Sequence, residues 1–281
     1  MSRVESGAPA GARSGRPRGL EWLLVAAAAA YAGVLLAGPM LAMAWGALAG
    51  GLESFFRQLA AADALNALKL TLLLAGGATV INTLFGLCIA WVLARDDFPG
   101  RRLLNGLVDL PFVVSPVIAG FVIFLLFGRG GWFAPVIDAL NLQIVFAWPG
   151  MLLATTFVSL PFVVREVVPV LVHVGVDQEQ AAYTMGASPL RTFRTITLPN
   201  IRWGLLYGVS LTFARALGEF GAVLVVSGSV SRWTETSTLF IFRALDDRNE
   251  VGAYAMALAL AAASFGLLLG MEYFKKHNRE D

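Results

Sequence analysis

Long apolar blocks separated by short polar or basic stretches run along the chain from Trp22 to Phe274. Crossing the hydrocarbon layer takes roughly 20 apolar residues in a helix, and six blocks have the length and pattern for it. They run from about Trp22 to Leu48, Leu65 to Ala94, Leu103 to Phe127, Phe146 to Val164, Ile201 to Val226 and Val251 to Phe274. Lipid supplies no hydrogen-bond partners, so each block must close its own backbone bonds, which predicts helices. The fold class read from this pattern is an all-α membrane protein with six transmembrane helices. The first block is longer than the roughly 7–15 apolar residues of a signal-peptide core, which predicts an uncleaved span. Before it, Met1–Gly19 is rich in Gly, Pro, Ser and Arg and is expected to be a disordered tail. Residues 20–281 are expected to form the membrane domain.

Composition agrees with that reading. Charged residues make up 14% of the chain and mean hydropathy is +0.71, whereas soluble domains carry about 25% charged residues. The single cysteine, Cys88, lies inside an apolar stretch and allows neither an internal disulfide nor a zinc spacing. His173 and His277, the only histidines, form no metal spacing. A phosphate-cradling P-loop needs glycine directly before its lysine. Lys69, Lys275 and Lys276 follow Leu68, Phe274 and Lys275, so this chain cannot hydrolyse ATP by that route. No enzyme activity, metal or cofactor is expected of it, and its expected surroundings are a lipid bilayer rather than nucleic acid.

The basic residues orient the spans. Fourteen fall on one side: four arginines of the N-terminal tail; Arg95, Arg101 and Arg102; Arg165, Arg191, Arg194 and Arg202; and Lys275, Lys276 and Arg279. Six fall on the other, namely Arg57, Lys69, Arg129, Arg232, Arg243 and Arg248, while Arg215 is mid-span. The positive-inside rule places both termini in the cytoplasm. Six tryptophans near span ends (Trp22, Trp45, Trp132, Trp148, Trp203 and Trp233) fit an interfacial belt.

The connection from Arg165 to Arg202 is too polar to span and too regular for a loose loop. Asp177, with Gln180 three residues on, has the form of a helix cap. Gly186 suits a helix stop, and Ser188-Pro189 suits a second helix start, with Leu198-Pro199 as its end. Two short cytoplasmic helices at a sharp bend are predicted. The run Gln180-Ala181-Ala182, then Gly186-Ala187, then Ile196-Thr197-Leu198-Pro199 resembles the "EAA" motif of binding-protein-dependent ABC importer permeases. The spacing matches, but Gln180 stands where the motif has glutamate, and Glu179 is one position early. The resemblance implies the type I ABC importer permease fold, with a core over about 64–274 and a coupling loop over about 165–202. It also implies an ATPase subunit dimer, binding ATP and Mg, that docks through Gln180, Ala181, Ala182, Gly186, Ala187, Leu198 and Pro199.

Further segments narrow this. Phe98-Pro99-Gly100-Arg101, Asp109 to Pro116, Asn141 to Ile144, Phe162 to Glu166, Leu198 to Trp203 and Ala214 to Ala222 resemble the sulfate and molybdate permeases. Together they are similar to the W-type permeases of sulfate/thiosulfate importers. That implies a place in the bacterial inner membrane, a second, T-type permease as heterodimer partner, and a periplasmic sulfate/thiosulfate-binding protein. A molybdate/tungstate importer permease is the near alternative. A secondary anion transporter is a more distant one; it would need intramembrane carboxylates, for which Glu219 and Asp109 are the candidates.

Arg215 and Glu219 are spaced i, i+4 inside the fifth block, on one helical face. They read either as an ion pair locking that helix or as a lining of the anion path, since intramembrane charges face the bundle interior or a water-filled route. Ser115-Pro116 marks either a helix break exposing backbone donors or a kink. Gly204–Gly208 and Gly266–Gly270 permit close helix approach, expected within the subunit. Cysteine placed at Ser6 or at Asn278 should be shielded from an impermeant thiol reagent in intact cells; labelling at either site would overturn the orientation.

Overall fold

The computed structural model describes residues 18–277, and every regular element among them is helical. The expectation of a disordered tail falls on residues of which 1–17 lie outside the described ones. Helices α1 (Arg18–Ala32) and α2 (Gly38–Leu48) join through a π-helical turn, Gly33–Ala37. There Gly38 N–H reaches back five residues to Gly33 O, so the wider turn accommodates Pro39, whose ring has no place in a regular ladder. A short amphipathic helix, α3 (Gly51–Leu59), leads into the long α4 (Ala62–Arg95). Then come α5 (Arg101–Val113), α6 (Pro116–Phe127), α7 (Ala134–Ala139) and α8 (Trp148–Val174). The chain continues through α9 (Asp177–Thr184), α10 (Pro189–Thr192), α11 (Leu198–Leu217), α12 (Gly221–Ser227), α13 (Ser237–Asp246) and α14 (Glu250–His277).

Four segments are long and apolar enough to cross a membrane: Glu21–Leu48, Ala62–Arg95, Trp148–Val174 and Glu250–Gly270. Two bent pairs complete six spans, α5 with α6 at 112° and the Pro189–Leu217 rod with α12 at 55°. In the third span Ser115-Pro116 is thus a break rather than a kink, and the fifth span carries a bend that its sequence did not signal. Pro116 drives Ser115 into extended backbone (ψ 137°), because the proline ring disfavours the helical region for the residue before it. In the fifth span a new helix starts within the membrane, with the Glu219 carboxylate accepting the Ala222 N–H at 2.9 Å. The fourth span runs on past Val164 to Val174, where Gly175 (φ 70°) ends it.

Helices α4 and α8 form the spine. One buried cluster around them holds Leu74, Met151, Ala154 and Val158 together with residues of α6, α12 and α13. A second holds Ala90, Leu93, Val163, Val164, Val167, Leu171 and Ile201. Asn82, fully buried, pins the two helices by donating to Ser159 Oγ at 2.9 Å and to the Thr156 carbonyl at 3.0 Å. Small residues let α11 approach α8: a Cβ at Gly208 would come within 3.1 Å of Val163 Cα, and one at Gly204 within 2.8 Å of Val170. That pair packs within the chain as expected. Gly266 and Gly270 have nothing within 4 Å of an added Cβ, so the second pair does not.

Helices α6 and α12 meet backbone to backbone. A Cβ at Gly120 would lie 2.5 Å from the Ala222 carbonyl oxygen and 2.9 Å from its Cα. Backbone cannot yield as a side chain can, so Gly120→Ala should destabilise the bundle by about 1–3 kcal/mol, as overpacking generally does. A wild-type unfolding midpoint in detergent would show that α6 and α12 are not in contact.

Candidate functional site

The Gly175–Thr197 connection projects from the end of the bundle where α4 and α8 finish, here called the loop end. Its first helix, α9, starts after Val176, and no side chain caps it. Asp177 therefore sits in the first turn rather than at the cap, and the predicted capping box does not form; a carboxylate there still favours the positive helix end. The stop at Gly186 is as predicted. Its φ is 82°, Gly186 N–H reaches Tyr183 O at 2.9 Å, and Ala187 N–H reaches Ala182 O at 3.0 Å. That paired return is the Schellman arrangement, which needs a left-handed residue. Ser188 caps α10 by accepting Arg191 N–H at 3.4 Å. Leu198-Pro199 does not end this helix. A π-helical turn, Phe193–Thr197, carries Pro189 through to Leu217 as one rod, because Leu198 N–H bonds five residues back to Phe193 O and leaves room for Pro199.

The motif residues divide by burial. Gln180, Ala181, Gly186 and Pro199 are exposed, Ala187 and Leu198 half-buried, and Ala182 buried. Tyr183, Met185 and Leu190 add an exposed apolar tip. The charged anchor of the loop is Glu179, which sequence reasoning set aside as being out of position. Its carboxylate lies 2.9 Å from Arg95 Nη2, both side chains 8% exposed, and also accepts the Thr197 hydroxyl at 2.9 Å. Arg95 and Thr197 were missed as well. The signal was the need of an early-turn glutamate at a buried position for a cation, and Arg95 ends the helix beside it.

The second candidate lies deep in the bundle. Arg215 Nη1 is 2.8 Å from Glu219 Oε2, so the predicted pair forms. The glutamate is sealed, with its side chain 2% exposed, while the arginine keeps 32% exposure. Arg215 opens into a cavity of about 340 Å³ lined also by Ser115, Pro116, Val158 and Phe162. Arg215 and Ser115 therefore share a chamber, and Glu219 stands behind it. Three helix starts gather at this point. Ala222 of α12 donates to Glu219; α12 begins against α6, since a Cβ at Gly221 would meet Val117 N at 3.3 Å; and Thr238 of α13 donates to the Glu219 carbonyl at 2.7 Å. Helix starts carry positive partial charge, and of these three the start of α6, at Ser115-Pro116, lines the chamber beside Arg215.

Helix α13 was not anticipated. Ser237 N–H meets Thr71 Oγ1 at 2.8 Å, well inside α4, while Arg232 meets Asp63 at the first turn of α4. The chain between α12 and α14 thus dips back into the bundle and returns. Arg243 holds it with a bidentate contact to Glu235, at 2.5 and 3.0 Å. The polar run Thr234-Glu235-Thr236-Ser237, all buried, was the readable sign that this stretch is not an exposed connection.

Known proteins resemble this chain in sequence and in fold. Residues 82–280 match the family described as "Binding-protein-dependent transport system inner membrane component". The sulfate transport system permease protein CysW of Synechococcus elongatus is 47% identical over 239 residues, 85% of this chain and 84% of that protein. CysW of Escherichia coli K12 is 45% identical over 262 residues, 92% and 90% of the two chains. A bacterial ABC transporter that imports the acidic polysaccharide alginate superposes with a TM-score of 0.76 at 16% identity, over 92% of this chain and 96% of that one. The chain belongs to the binding-protein-dependent family of transport-system inner membrane components, and within that family it stands with the CysW-type permeases.

Proposed function

We propose that this chain is the membrane-spanning permease of an ATP-driven sulfate/thiosulfate importer and forms half of the translocation path. The observation that carries this is the chamber beside Arg215, where a partly exposed guanidinium faces the start of α6 at Ser115-Pro116 within an apolar bundle. A doubly charged oxyanion needs such a setting to leave water, and a planar donor fork suits its geometry. Release demands that no site hold it tightly, and Glu219 tempers the attraction of Arg215. The CysW relatives, named for sulfate transport, support the same cargo.

The exposed tip of the Gly175–Thr197 connection then serves as the docking element for the ATPase dimer. Gln180, Ala181, Tyr183, Met185 and Leu190 form its contact face, and Gly186 fixes its bend, with Ala182, Ala187, Leu198 and Pro199 as its support. ATP and Mg belong to that dimer, since no lysine here follows a glycine. The charge asymmetry puts this loop and both termini in the cytoplasm. A T-type permease supplies the other half of the path, and a periplasmic sulfate/thiosulfate-binding protein delivers the anion at the opposite end. An ion-coupled transporter is disfavoured because both carboxylates it would use are engaged, Glu219 by Arg215 and Asp109 by Arg165 at 2.5–2.7 Å.

Deletion of the gene should abolish uptake of radiolabelled sulfate at low external concentration and leave molybdate uptake intact. Loss of molybdate uptake with sulfate uptake preserved would keep the family and overturn the cargo. Arg215→Ala and Glu219→Ala should each lower uptake or assembly more than the double change. The expected coupling energy is about 0.5–3 kcal/mol, at the lower end because solvent screens the partly exposed arginine. Strictly additive losses would show two separate roles.

A further inference from the structure

We propose that Arg95 is a positioning residue for energy coupling: its guanidinium is the joint that makes the docking loop move as one body with the ends of α4 and α8. This rests on the reading of that loop as the ATPase-coupling element.

The joint is built from contacts in several directions. Arg95 Nη2 donates to Glu179 Oε1 of α9 at 2.9 Å, and Nη1 donates to the Leu171 carbonyl in the last turns of α8, also at 2.9 Å. The same Glu179 oxygen accepts the hydroxyl of Thr197, at the end of the π-turn that leads into α11. The guanidinium sits 5.8 Å from the Trp91 ring, and Trp91 meets Phe193 of that turn edge-on at 5.9 Å. One side chain of α4 therefore ties α8 and α9 directly and α11 through Glu179.

Other contacts at the loop end do not do this. Arg101 bonds Leu93 O, in the last turn of α4, and Asp97, in the turn joining α4 to α5, and so reaches neither α8 nor the loop. Asn200 reaches Gln178 at 2.8 Å, an exposed contact that joins α9 to α11 alone. Gln180, at the position of the motif glutamate, is exposed and leads away from the joint. Being buried, the Arg95–Glu179 pair escapes the salt screening that weakens surface pairs. Energetic coupling travels through such bonded, rigid contacts between elements. A merely stabilising pair would differ in its consequences, because well-packed apolar groups of similar volume can replace a buried ion pair without loss of stability.

The test uses complexes reconstituted with the ATPase, the second permease and the binding protein, reading radiolabelled sulfate imported and ATP hydrolysed in the same vesicles. The double variant Arg95→Met with Glu179→Leu should assemble and hydrolyse ATP, but spend about tenfold more ATP per sulfate imported, within the usual range of coupling energies between sites. A wild-type ratio in that variant overturns the proposal. Should the double variant fail to assemble, Arg95→Lys decides, since lysine keeps the charge without the rigid fork. A raised ratio in that variant supports the joint and a wild-type ratio refutes it. Gly186→Leu, run in parallel, separates the two levels, because leucine reaches the left-handed backbone there only with strain. If Gly186→Leu uncouples transport and the Arg95 variants do not, the joint fails and the docking reading stands. If none uncouples, the docking reading fails and takes this proposal with it.

Discussion

A helix can break inside a membrane only where the protein itself satisfies the backbone groups that the break sets free. Here the breaks are gathered rather than scattered. The elbow at Val114-Ser115, the turn at Gly218–Phe220 and the start of α13 at Ser237 all meet around Glu219. Its carboxylate takes a backbone N–H, its carbonyl takes a threonine hydroxyl, and Thr71 of α4 takes the N–H of Ser237. Remove that arrangement and the starts of α12 and α13 lose partners in a medium that offers none.

That constraint also explains what was legible in the sequence. The four straight spans could be read because they obey one rule throughout: apolar residues and closed backbone bonds. Gly186 and Ser188-Pro189 could be read because each answers a local demand, a positive φ or an orphan N–H. Arg215 and Glu219 could be paired because i, i+4 spacing is geometry internal to a helix. The elbow was half visible: Ser115-Pro116 pointed to a break, but neither its 112° angle nor the approach of α6 to α12 at Gly120 is written in a local pattern. The re-entrant α13 was hidden because its polar residues are paid for by partners far away in sequence, Thr71 for Ser237 and Asp63 for Arg232.

Leu198-Pro199 taught the opposite lesson. Proline in a helical pattern reads as a stop, yet the rod from Pro189 to Leu217 passes through it. The π-turn before it moves the needed hydrogen bond from four residues back to five. The same device passes Pro39 in the first span. In both places the wide turn preserves the span at the cost of a looser ladder.

The rod that survives Pro199 links the two parts of the molecule that matter most. At one end it leaves the loop beside Thr197, which is bonded to Glu179; at the other it carries Arg215 and stops at Gly218, where the chamber begins. Gly204 and Gly208 hold it close against α8, with Val170 and the Val163 backbone in the space their own side chains would need. At the chamber end the rod is fastened by the Arg215–Glu219 pair and by Ala216 and Leu217, buried with Ala75 of α4. On the function proposed above, force that enters at the loop would reach the chamber along this one helix.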